Sequence, residues 1–192
     1  MIEKVCLICK QKIKVYKIFC LSCDQKIKEL IISNNQAAKS FTMFRNEEPL
    51  HSLLISAKHP NSSNYLIYKV LIKKYLNLLE LPKCVTHVTW VPSKDHHKKH
   101  AKAIAKTLSK LHNLKLCNLI KNESLSEAKH LSSLERQTQL AFSLRKNSQC
   151  ASQFNNLLIV DDIQTSGNTF LKIVELFDAN VYTFALARTY LK

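Results

Sequence analysis

Two adjacent carboxylates and one glycine form the part of this sequence best suited to chemistry. Asp161 and Asp162 follow an apolar run, and Gly167 is the single glycine among 192 residues. Glycine serves where φ is positive or where backbone must approach a ligand closely. Paired carboxylates can accept hydrogen bonds from two vicinal hydroxyls or hold Mg2+ through water. A hydroxyl-rich loop that opens a helix can bind phosphate through its N–H groups.

This segment therefore predicts a site for a ribose diol and a 5′-phosphate. The residues expected to hold the phosphate are Thr165, Ser166, Gly167, Asn168 and Thr169. The alternative for the acid pair is a solvated strand end, but a sheet does not require consecutive carboxylates, which repel each other. The loop is too short for a GxxxxGK[ST] phosphate loop, and one glycine excludes GxGxxG.

Four of the seven cysteines form two Cys-x2-Cys pairs separated by ten residues: Cys6, Cys9, Cys20 and Cys23. Two such knuckles predict a tetrahedral S4 site for Zn2+, and four protein ligands leave no open position, so the site should be structural. A disulfide pair is the alternative, which a cytosolic compartment disfavours. Neither knuckle has a glycine after its second cysteine. The other three cysteines, expected to be buried or half-buried thiols, are Cys84, Cys117 and Cys150.

The elements that must position these residues follow from apolar periodicity and breakers. Helices are predicted at 24–33, 49–57, 64–81, 99–111, 131–142 and 169–177, and strands at 41–44, 85–91, 114–119, 157–160 and 181–187. A polar hinge is predicted at 34–40. Alternating strands and helices predict an α/β fold with a parallel-centred sheet, in which loops at the carboxyl ends of the strands carry the site.

The charge of the chain favours a polyanionic partner such as nucleic acid, and the alternatives are a soluble basic protein with no such partner and a protein that meets an acidic membrane surface. Its net charge is +15, and only four of its 29 basic residues are arginine, which favours non-specific attraction to phosphate over base reading. Lysines at helical spacing (98, 99, 102, 106 and 110) form a row whose alternative explanation is a solvated helix face. Further lysines surround Tyr16 and Phe19 in the cysteine region, where the aromatics could stack on bases or form the ribbon's core. The N-terminus lacks signal-peptide features, so we expect a cytoplasmic protein.

The segment IVDDIQTSGNT (159–169) resembles the phosphoribosyl pyrophosphate (PRPP) signature of type I phosphoribosyltransferases. With the four-cysteine ribbon ahead of it, the chain resembles the ComF (competence protein F) family. Other matching stretches are WVPS (90–93), LSSLER (131–136) with AF (141–142), LART (186–189) and Lys58 after the first helix of the α/β part.

This resemblance implies a zinc ribbon with its linking helix at 1–33 and a phosphoribosyltransferase-like domain at 34–192. PRPP with Mg2+ would bind at Asp161, Asp162 and the 165–169 loop. Residues assigned to pyrophosphate or DNA phosphate are Lys58, Ser93, Lys94, Lys98, Lys99, Lys102 and Arg136. The implied function is DNA uptake in natural transformation, with single-stranded DNA as partner. The protein would act in the cytoplasm or peripherally at the inner membrane beside the uptake machinery.

The chain departs from the family at the pyrophosphate loop, where KDHHKKHA (94–101) replaces the Arg-Gly-Phe-Asn-Gln stretch. The sequence therefore supports ligand binding more strongly than catalysis. Thr165 stands where oxopurine salvage enzymes have an aspartate base, which disfavours purine salvage. Two alternatives stay open: an active phosphoribosyltransferase of nucleotide metabolism, and a zinc-ribbon adaptor whose α/β part only packs.

Overall fold

The computed structural model describes residues 4–14, 17–32, 39–58, 65–75, 77, 79–93, 99–122, 144–146 and 154–190. Its helices are α1 Leu21–Glu29, α2 Leu50–Ala57, α3 Tyr65–Tyr75, α4 His100–His112 and α5 Asn168–Val174. Its strands are β1 Ser40–Arg45, β2 His87–Trp90, β3 Lys115–Leu116, β4 Ile120–Asn122, β5 Leu144–Lys146, β6 Asn156–Gln164 and β7 Asn180–Arg188. None of these helices is long and apolar enough to span a membrane.

Five strands form one parallel sheet in the order β1-β7-β6-β2-β3. The central strands β6 and β7 pair from Asn156↔Asn180 to Gln164↔Arg188, whereas β2 pairs with β6 only as far as Trp90↔Val160. The predicted α/β fold with a parallel sheet is therefore confirmed. Because β6 outruns β2, its last four residues lie at the carboxyl edge of the sheet, where ligands of α/β proteins bind.

Apolar side chains of β6 alternate between two cores, as expected for a strand covered on both faces. Leu158 and Val160 belong to the larger core, which also contains buried residues of α2, α3 and α4. Leu157 and Ile159 belong to the smaller core, with Phe170 of α5. The acid pair at the end of β6 is thus carried by a strand that is buried on both faces.

Several predicted boundaries were wrong because periodicity continues past the point where backbone pairing or packing ends. α3 ends at Tyr75 instead of residue 81, and α5 ends at Val174 instead of residue 177. Of the predicted strand 114–119 only β3 is a strand, and β4, which begins at Ile120, pairs antiparallel with β5 in a two-stranded sheet that was not predicted. The predicted helix 131–142, the hinge residues 34–38 and Cys150 lie outside the described residues.

The cysteine-rich segment packs directly on the sheet. The Ile32 N–H donates to Met43 O (3.0 Å), and the Arg45 N–H donates to Leu30 O (2.7 Å), so the chain after α1 pairs with β1. Phe19 is 3% exposed and belongs to the larger core, so this aromatic is core and cannot stack on a base. α1 begins at Leu21, three residues before the predicted start, because Cys20 caps it.

Candidate functional site

The four paired cysteines meet at one point. The Sγ atoms of Cys6, Cys9, Cys20 and Cys23 all lie within 4.8 Å of one another, and those of Cys9 and Cys20 are 3.6 Å apart. Tetrahedral Zn2+ with Zn–S bonds of about 2.3 Å separates its sulfurs by roughly 3.8 Å. The cluster therefore fits a structural zinc ion held by four thiolates.

Local backbone geometry brings the thiols together. Lys10 follows the second cysteine of the first knuckle and adopts φ 61°, a left-handed conformation that usually falls to glycine. This turn lets the Lys10 N–H donate to Cys6 O (3.1 Å). At the second knuckle, the Cys23 N–H donates to Cys20 Sγ (3.5 Å) at the start of α1. A lysine thus performs the turn for which the sequence has no glycine.

The thiols of the cluster differ in acidity. Burial raises the pKa of the Cys6 thiol, but backbone N–H groups around it outweigh burial and lower that pKa to about 6. Burial and the neighbouring thiols raise the pKa of Cys23 to about 12. The raised pKa keeps Cys23 a thiol at neutral pH, and a divalent metal ion bound by the cluster would favour its thiolate form.

A half-buried polar contact connects this cluster to the α/β part. Asp24, next to Cys23, accepts a hydrogen bond from Tyr75 Oη (2.6 Å) and pairs with Lys74 Nζ (3.2 Å) and Lys28 Nζ (3.6 Å). Burial raises the pKa of Asp24, but Tyr75 and the two lysines outweigh it, so the net pKa is below the usual value. Sequence reasoning missed this contact because 51 positions separate Asp24 from Tyr75.

The acid pair lies within β6, not after it as predicted. The strand runs on to Gln164 because β7 pairs with it over the same length. The Asp162 N–H donates to Asp161 Oδ1 (2.8 Å), and the Ile163 N–H donates to Asp162 Oδ1 (2.9 Å). Each carboxylate is thus fixed by the next backbone N–H along the strand.

Lys58 reaches this acid pair from the end of α2. Its Nζ lies 2.8 Å from Asp162 Oδ2. Burial and the charge of Asp162 raise the pKa of Asp161 well above its usual value, although Lys58 opposes the rise. The structure therefore brings together three residues that the sequence assigned to one site.

The loop after β6 turns into α5 at the lone glycine. Gly167 has φ 80°, and a Cβ atom there would lie 2.9 Å from Gln164 Nε2. The backbone angle favours glycine, whereas the close contact is with the end of a flexible side chain that a Cβ atom could displace. Thr165, Ser166, Asn168 and Thr169 are exposed, and the Asn168 N–H contacts Ser166 Oγ (3.4 Å). The predicted phosphate-binding residues therefore form one short, accessible loop beside the acid pair.

Neighbouring strands add polar residues to this edge that the sequence did not single out. Asn46 Nδ2 donates to Thr189 Oγ1 (2.8 Å), and Asn46 Oδ1 contacts His51 Nδ1 (3.3 Å). The Thr189 N–H donates to Gln164 O (2.9 Å). These contacts connect the ends of β1, β6 and β7. In the sequence, only the LART motif, which ends at Thr189, had drawn attention to this edge of the sheet.

The other predicted phosphate ligands are only partly described. Lys99 is exposed, Ser93 is half-buried, and Lys102 Nζ lies 4.9 Å above the ring of Trp90. Lys106 and Lys110 are exposed on α4, whose opposite face carries buried residues such as Ile104 and Leu108. Lys94, Lys98 and Arg136 lie outside the described residues.

Of the other cysteines, Cys117 is buried as expected, but Cys84 is exposed because it sits in the turn before β2, with Sγ 3.3 Å from Tyr182 Oη.

Comparison with known proteins adds no family. No family model matches the chain, and no curated protein matches its sequence.

Proposed function

We propose that the carboxyl edge of β6 binds PRPP or ribose 5-phosphate. The observation that supports this most directly is the contiguity of three features: the fixed acid pair, the glycine turn and the exposed hydroxyl loop. The carboxylates would accept hydrogen bonds from the ribose diol, and the loop N–H groups would hold the 5′-phosphate. Mg2+ would enter with the pyrophosphate of PRPP and neutralise its charge.

This site is tested by calorimetric titration with Mg2+–PRPP and with ribose 5-phosphate. In the double variant Asp161→Asn/Asp162→Asn we expect affinity to fall by about 100-fold or more, since charge-assisted hydrogen bonds to the diol are lost. Asp178→Asn is the matched control, because Asp178 is an exposed acid outside the site. Unchanged PRPP affinity in the double variant would refute the assignment.

Whether the chain also catalyses transfer is decided by a separate measurement. Release of pyrophosphate from PRPP in the presence of a panel of bases would identify the protein as a phosphoribosyltransferase. Binding without release would leave the site as a sensor of PRPP, which we favour because of the altered pyrophosphate loop. A zinc-ribbon adaptor whose α/β part only packs would give no thermal shift with PRPP.

We further propose that the chain binds single-stranded DNA and, by its resemblance to the ComF family, acts in DNA uptake. The observation favouring a polyanion is a lysine face along α4. Lys106 and Lys110 of the helix and its N-cap residue Lys99 are exposed. Lys102, on the same face, lies over the ring of Trp90 at the carboxyl end of β2. Like charges along a helix destabilise it slightly, so the lysine row does not stabilise α4. Phosphates of a single strand would offset that repulsion.

The DNA proposal predicts binding of oligo-dT that weakens steeply with salt. Charge reversal by Lys106→Glu/Lys110→Glu should lower affinity about ten-fold or more and make the salt dependence shallower, because fewer counterions are released. Lys172→Glu, an exposed lysine of α5, is the control. Absent or salt-independent binding would exclude this function, whatever the outcome with PRPP.

A further inference from the structure

The contact between Lys58 and Asp162 bears on which ribose ligand the site can take. Lys58 is the C-cap residue of α2, held by hydrogen bonds from its backbone N–H to Ile55 O and Ser56 O. Its side chain crosses to β6, where Nζ lies 2.8 Å from Asp162 Oδ2. The two residues are 104 positions apart in sequence, so only the fold brings them together. The Lys58 ammonium group thus lies against the Asp162 carboxylate of the acid pair.

Both oxygens of Asp162 are engaged in this arrangement. Oδ1 accepts the Ile163 N–H (2.9 Å), and Oδ2 is buried, with the Lys58 ion pair and no aligned hydrogen bond in the described part of the chain. A ligand hydroxyl can reach Oδ2 only after Lys58 moves. The Lys58 side chain is 34% exposed, so its ammonium group can swing into solvent, whereas the Asp162 side chain, at 13%, is held in the strand.

Displacing Lys58 has a cost that depends on the ligand. Ribose 5-phosphate offers a diol to the carboxylates and a phosphate to the 165–169 loop, but nothing anionic at C1 for the displaced ammonium. PRPP carries its pyrophosphate on C1, the carbon bonded to the one that bears the 2-hydroxyl. An ammonium leaving Asp162 would therefore still lie within reach of that pyrophosphate, and the ion pair would be exchanged, not lost.

We infer that Lys58 makes the site select PRPP over ribose 5-phosphate, by closing the acid pair until a ligand brings an anion at C1. This inference rests on the proposed binding site. It gives Lys58 two partners in turn, Asp162 in the empty site and pyrophosphate in the filled one. A lysine that only bound pyrophosphate would not affect ribose 5-phosphate, and a lysine that only held Asp162 in position would favour both ligands equally.

The test is the ratio of the two affinities in wild type, Lys58→Met and Lys58→Arg, measured by titration calorimetry. In Lys58→Met we expect ribose 5-phosphate to bind about ten-fold more tightly and Mg2+–PRPP about ten-fold more weakly, so that selectivity falls roughly 100-fold. Lys58→Arg keeps the charge and should retain the preference for PRPP. The exposed lysine of α3, in Lys69→Met, is the control.

The outcomes separate the two proposals. Unchanged or weaker ribose 5-phosphate binding in Lys58→Met, with wild type binding both ligands, overturns this inference and leaves the site standing. Failure of wild type to bind either ligand overturns the site and the inference with it. Melting curves of the variants show whether each is folded, and Lys58→Gln, which also removes the charge, takes the place of Lys58→Met if that variant is unfolded.

Discussion

Asp24 at the ribbon junction and Asp161 at the sheet edge are the same residue type in opposite situations. Asp24 accepts the Tyr75 hydroxyl and lies beside two lysines, and its pKa is lowered. Asp161 is held against another carboxylate at the end of β6, and its pKa is raised. The first carboxylate stabilises the folded state at neutral pH, whereas the second costs free energy there.

This difference bears on the proposed roles of the two regions, which are structure at the ribbon junction and ligand binding at the sheet edge. At the ribbon junction the charge is matched by partners within the chain. At the sheet edge, among the residues that the structure describes, Lys58 is the ammonium paired with the two carboxylates, and the neighbouring loop is exposed. Uncompensated charge is retained in proteins where a ligand completes it. The cysteine cluster is a third case, since its charge is to be matched by a metal ion.

The largest expected effect tests whether the ribbon is structural. Cys9→Ser/Cys20→Ser should abolish stoichiometric zinc and lower the melting temperature by more than roughly 10 °C, because structural zinc contributes about 10–16 kcal/mol of binding free energy. Metal analysis and thermal melts, with and without chelator, measure this. Cys84→Ser is the control, since Cys84 is exposed and outside the cluster. Zinc-free protein with an unchanged melting curve would contradict a structural role for a metal ion in the ribbon.

Tyr75→Phe tests whether Asp24 is satisfied by the fold. Loss of the hydroxyl leaves the carboxylate short of one partner and should cost about 1.5–3 kcal/mol in urea denaturation at pH 7. Because the folded pKa of Asp24 is lowered, its stabilisation is present above the ordinary value of 3.8 and is lost as pH falls through the folded value. The variant should therefore lose less stability in acid than wild type. Tyr190→Phe, at an exposed tyrosine, should change nothing.

Gly167→Ala tests how strictly the ligand loop is built. The φ of 80° and the 2.9 Å approach to Gln164 Nε2 both oppose a Cβ atom, so we expect a loss of about 1–2 kcal/mol and weaker PRPP binding. The double variant Gln164→Ala/Gly167→Ala removes the contact but keeps the unfavourable angle, and should recover part of the stability. Equal stability of wild type and Gly167→Ala would contradict a required turn.

The smallest expected effect is a gain in stability instead of a loss. The raised pKa of Asp161 means that the folded protein keeps a proton that the unfolded chain releases above pH 3.8. Stability therefore falls as pH rises from that value through the folded pKa. Asp161→Asn should stabilise the protein at neutral pH by on the order of 1 kcal/mol while weakening ligand binding. Asp24→Asn, its counterpart at the ribbon, should destabilise. Destabilisation by both variants would contradict the distinction between Asp24, which stabilises the fold, and Asp161, which destabilises it.

Much of the fold could be predicted from local patterns. The apolar run 157–160 and the alternation of elements indicated a parallel α/β sheet, and β1, α2, α4 and β7 begin and end within about two residues of their predicted bounds. The antiparallel pairing of β4 with β5 could not be predicted, since three-residue strands are too short to give a periodic signal. The end of α3 at Tyr75 was also missed, because residues up to 81 keep helical spacing.

The sequence by itself determined the features encoded over a few residues. Two Cys-x2-Cys knuckles bring the sulfurs of each pair close by local turns, and the lone glycine marks a turn whose positive φ disfavours a side chain. Only the tertiary structure decided which distant partners complete them. Asp24 meets Tyr75 across 51 positions, Lys58 meets Asp162 across 104, and Asn46 meets Thr189 across 143. Such contacts depend on how strands align and helices pack, which no local spacing records.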